Sequence, residues 1–126
     1  MDIILIIGAM FLAYAGILMV YYNIRSKERQ KRASKLMLNG VMSLRRGVHE
    51  KAIAYFKIAY DYSEGINDYH TMAESLYHIG LVYEDLNDLE NAVYMFNEAA
   101  KIYGEIDDYE GMEKSTKASD SLKNSI

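Results

Sequence analysis

The sequence predicts an all-α protein in which one apolar helix precedes a short array of paired helices. Three observations carry this. A pattern of small and aromatic residues recurs at a spacing of 40, with Gly40, Ala52, Phe56 and Ala59 answered by Gly80, Ala92, Phe96 and Ala99. The stretch Ile3–Tyr22 contains 20 residues and no charge. Proline is absent from all 126 residues, which suits long unbroken helices. A fixed period of this length marks stacked helix-turn-helix units, each too small to bury its apolar face alone.

In chain order, residues 1–22 read as a transmembrane anchor. At 1.5 Å per residue, 20 helical residues reach about 30 Å, the thickness of a bilayer's hydrocarbon core. Tyr21 and Tyr22 end the stretch where aromatic belts sit. A cleaved signal peptide is the rival reading, because Ala13-Tyr14-Ala15 resembles a cleavage site. Against it, Asp2 stands where a basic region is needed, and apolar residues continue beyond Ala15. Residues 23–33 form a basic juxtamembrane segment. Between Asn23 and Lys35 lie six basic residues (Arg25, Lys27, Arg29, Lys31, Arg32, Lys35) and one acid, Glu28. The positive-inside bias places the array in the cytoplasm and the amino terminus outside. Without Pro or Gly from Val20 to Asn39, helix is expected to continue from the anchor into the first repeat.

Residues 34–68 form the first repeat and 69–106 the second. Gly40 and Gly80 sit inside apolar helical runs, where glycine costs about 1 kcal/mol relative to alanine and so needs a packing reason. Close approach of a second helix supplies it. Ala52-Phe56-Ala59 and Ala92-Phe96-Ala99 are spaced i, i+4, i+7 on one helical face, small residues admitting the neighbour and phenylalanine filling the gap. Gly47 and Asn87 hold equivalent places between the helices and are residue types that accept a left-handed helix end. Residues 107–126 read as a capping helix. Asp120 stands where Gly40 and Gly80 stood, and Ser115, Thr116, Lys117 and Ser119 make a polar segment. Ala118, Leu122 and Ile126 remain to cover the stack.

Composition excludes several function classes. Leu36 to Ile126 carries 8 basic and 16 acidic residues, a net charge of −8, which opposes nucleic-acid binding. There is no cysteine, hence no disulfide, thiolate zinc site or thiol chemistry. His70, Glu74 and His78 fall on one helix face, but the outer two are about 12 Å apart at helical rise, too far for one metal ion. There is no glycine-rich phosphate loop and no histidine beside a nucleophile. The acid pairs Glu84-Asp85 and Asp107-Asp108 fall at helix ends, where acids cap the chain. Neither an enzyme nor a cofactor or metal site is expected.

With Leu76, Gly80, Tyr83, Ala92, Phe96 and Ala99 in place, the chain resembles the tetratricopeptide repeat family, in a longer 40-residue variant of its usual period of about 34. The first unit departs from the pattern at Asn39 and Ser43. The resemblance implies that the first helix of each unit lines a concave groove for a protein partner. Carried onto this chain, the groove residues are Met37, Val41, Leu44 and Arg45 in the first unit. In the second they are Glu74, Tyr77, His78, Leu81 and Glu84. Some members clamp a terminal carboxylate with Lys and Asn where Met37 and Val41 stand here, so that mode is disfavoured. A groove rich in Met and Tyr suits an amphipathic helix. The expected function is a membrane-anchored adaptor. The alternative is a structural subunit of a larger membrane complex, joined through the small residues Gly8, Ala9, Ala13 and Gly16 of the anchor.

Overall fold

A computed structural model of the chain describes residues 2–126. Five helices follow one another: α1 (Asp2–Arg45), α2 (His49–Gly65), α3 (Tyr69–Asp85), α4 (Leu89–Glu105) and α5 (Tyr109–Lys123). No strand occurs among the described residues. α1 is a single helix of 44 residues, unbroken at both expected boundaries, near residues 22 and 33. It therefore runs from the apolar stretch through the basic segment into the array, as the missing helix breakers required.

The connections repeat at half the interval of the apolar pattern. Gly47, Asn67, Asn87 and Asp107 all hold positive φ, between 56° and 76°, and stand 20 residues apart. Each ends its helix with the same paired bonds. At the α3 end the Asn87 amide donates to Glu84 O (2.9 Å) and the Asp88 amide to Tyr83 O (2.8 Å). These satisfy carbonyls that the helix end leaves free. The next residue opens the following helix. Asp68, Asp88 and Asp108 accept from the amides of Thr71, Asn91 and Gly111, whereas Val48 offers α2 no side-chain cap. The Asp108 cap also realises the expected role of one acid pair.

The close approaches occur where the glycines predicted them. A Cβ on Gly40 would lie 2.5 Å from the Phe56 ring, and one on Gly80 would lie 2.7 Å from the Phe96 ring. Ala52, Phe56, Ala59, Ala92, Phe96 and Ala99 are all fully buried. Fully removing such a phenylalanine from water contributes about 1.5–3 kcal/mol. α5 repeats the device in reverse: Gly111 lies against the ring of Tyr103 on α4.

The cap differs from expectation in two respects. Ser115 and Ser119 are buried, and Ser119 Oγ donates to Asn97 Oδ1 at 2.7 Å. Ser119 is thus paired across to α4, whereas Ser115 Oγ is buried without a hydrogen-bond partner among the described residues. Leu122 is buried and Ala118 packs beside it, while Ile126 is exposed and covers nothing.

The candidate groove

α3 is the centre of the array and supplies most of the candidate groove. Glu74, Tyr77 and Leu81 are half-buried on one face, and Glu84 continues it in the open. Tyr77 packs towards both the Tyr103 and the Phe96 clusters, with its ring 5.3 Å from that of Phe96. The Lys114 ammonium on α5 lies 4.2 Å from the centre of the Tyr77 ring. Burial, then the nearby Glu84, pushes the Tyr77 hydroxyl above its ordinary pKa, so it remains a neutral donor.

The first unit contributes less open surface. Val41 and Leu44 are half-buried against the core cluster around Phe56, and Arg45 is exposed. Met37 belongs to that core, where its sulfur accepts from Ser75 Oγ at 3.3 Å. His78 lies within the packing as well, its ring 5.1 Å from Phe56 and 5.8 Å from Tyr77. Its Nδ1 bonds Glu74 O at 2.7 Å. Burial lowers the His78 pKa below 6.5; the Glu74 carbonyl bond and the Glu74 charge oppose this, and the Lys114 charge assists it. The imidazole is therefore neutral at neutral pH.

His70 stands apart from His78, at the other end of the α3 face. Its Nε2 lies 3.6 Å from Asp108 and 4.0 Å from Glu74. These residues, with Tyr103, Glu110, Gly111 and Lys114, line a polar cleft of about 240 Å³ between α3 and α5. Burial is the first cause that raises the Tyr103 pKa, followed by the charges of Glu74 and Asp108. No group of three His, Asp or Glu among the described residues is placed to hold a metal ion. Lys114 was not among the residues assigned from sequence. It stands 40 residues after Glu74, so extending the repeat register into the capping helix would have found it.

Helices packed in sequential pairs and glycine-to-aromatic seams define a helical-repeat array. The chain matches the tetratricopeptide repeat family model over residues 31–105, more than half its length, and belongs to that family. Its repeats are of a kind that mediates contacts between proteins and is typically non-catalytic. Neither a curated protein nor a solved structure matches the chain.

Proposed function

We propose that this protein is a single-pass membrane adaptor whose 40-residue repeats hold a protein partner at the cytoplasmic face, with its amino terminus outside. The bound segment is an amphipathic helix laid along Val41, Leu44, Tyr77 and Leu81, with Met37 and His78 supporting the floor. Arg45, Glu74 and Glu84 supply charges at the rim. The observation that carries the reading is the half-open Tyr77–Leu81 face of α3. It is partly apolar and flanked by charge, on the first helix of the second repeat. The anchoring rests on α1, which is long and apolar enough near its start to cross a membrane, with none of that window buried.

Co-purification after mild extraction tests the groove. Leu81→Glu places a charge in its centre and is expected to release the partner, while Glu98→Ala is expected to retain it. Retention by Leu81→Glu with its helical content intact would reject the groove. The orientation is tested by protease digestion of sealed vesicles, in which protection of the array on the secreted side would reject it.

One observation favours the second reading, assembly through the membrane helix. A Cβ at Gly8 or Gly16 would meet nothing within 4 Å, so that face of α1 is open to another helix. Ala13→Leu would then release the partner in place of Leu81→Glu.

A further inference from the structure

We propose that the cleft between α1 and the C-terminal turn of α2 binds the phosphate of an anionic phospholipid headgroup, seating the repeat array directly on the bilayer. The inference rests on the reading of residues 3–22 as a membrane span, and it adds a ligand and a fixed height for the array.

Position comes first. Tyr22 and Arg25 line the same cleft, of about 240 Å³, as Gly65 and Ile66 at the end of α2. The α2–α3 turn therefore lies level with the last residue of the apolar stretch, and no spacer separates array from membrane. A span that ends at Tyr22 puts this cleft among the headgroups.

Charge comes second. Arg25, Arg29 and Arg32 are spaced i, i+4, i+7, so one face of α1 presents three guanidinium groups to α2. With Glu28 and Tyr62 they line the adjoining part of the cleft. Glu28 pairs with Arg32 at 3.2 Å, whereas Arg25 and Arg29 have no carboxylate partner among the described residues. Arg29 is held in place: its guanidinium lies 5.8 Å from the Tyr62 ring centre and rests on Gly65. A planar guanidinium fixed on one side and open on the other suits two-point hydrogen bonding to phosphate. A lipid is favoured over free phosphate because its acyl chains hold the headgroup at this depth, raising its effective concentration. It is favoured over an acidic protein because the cleft adjoins exposed apolar helix at Tyr22.

The test uses the full chain in mild detergent, with bound lipid read by native mass spectrometry. Wild type is expected to retain phosphatidylglycerol over phosphatidylcholine by about tenfold. Arg25→Gln/Arg29→Gln/Arg32→Gln should abolish the preference. Lys27→Gln/Lys31→Gln/Lys35→Gln, which removes equal charge from another face of α1, should keep it. Equal loss in both triple variants, or no preference in wild type, would overturn the cleft as a site. Displacement of phosphatidylglycerol by equimolar inorganic phosphate or by poly-glutamate would reassign it to free phosphate or to an acidic protein. Circular dichroism checks that both variants fold. Alkaline carbonate extraction, read separately, distinguishes the two failures. Release of wild type from membranes rejects the span itself, and retention without lipid preference rejects only the cleft.

Discussion

Gly80 and Phe96 are in direct contact, the glycine leaving no room for a methyl group: a Cβ there would meet Phe96 Cε1 at 2.7 Å. The same fit joins Gly40 to Phe56 one repeat earlier. Because the opposing atoms belong to a fully buried ring, neither side can yield cheaply. Gly80→Ala is therefore expected to lower stability by about 1–3 kcal/mol despite the better helix propensity of alanine. Phe96→Ala should cost about 3–5 kcal/mol. Thermal melts of the full chain in detergent check both, with Lys101→Ala at an exposed position as the surface control. Unchanged transitions for Gly80→Ala and Phe96→Ala would reject this packing register.

The missing cap on α2 can be supplied. Val48 is 41 % exposed and occupies the position that Asp68, Asp88 and Asp108 hold before the later helices. Val48→Asp gives the first turn of α2 an acceptor for its free amides. Stability is expected to rise by about 0.5–2 kcal/mol. Chemical denaturation checks the gain, and a loss would show that Val48 contributes packing that the cap does not replace.

His78 makes stability depend on pH. Its folded pKa lies below 6.5 because burial disfavours the charged ring. The folded state then takes up a proton less readily than the unfolded chain. This contribution is constant above pH 6.5 and is lost as pH falls from there towards the folded pKa. His78→Gln should have a shallower fall in stability than wild type between pH 7.5 and 5.5. Equal slopes would mean that burial does not lower the His78 pKa in the folded chain.

The packing seams were legible in the sequence because glycine inside an apolar helix has few explanations other than close contact. The all-helical class and the left-handed turns at Gly47 and Asn87 followed from the same punctuation. The groove was less legible. Whether Met37 faces a partner or the core depends on how α1 leans on Ser75, and spacing along one helix does not encode that tilt. His78 reads from the sequence as a groove residue, yet its ring packs against Phe56 on α2 and Tyr77 on α3. The serines of α5 read from the sequence as a polar segment, yet Ser115 and Ser119 are buried. The 20-residue interval of the turns was present in Gly47, Asn67, Asn87 and Asp107, but the stronger 40-residue apolar echo obscured it.

We propose that the α3 face, rather than the apolar helix, holds the partner. Site-specific photo-crosslinking of the full chain in cells separates the two, with benzoylphenylalanine placed singly at Tyr77, Tyr94 or Ala13. Tyr94 is 59 % exposed on α4 and serves as the outer-surface control. One protein adduct is expected from Tyr77 and none from Tyr94 or Ala13, with the crosslinked peptide mapping to an amphipathic helical segment of the partner. Adducts from Ala13 with none from Tyr77 would contradict it and assign the contacts to the membrane helix.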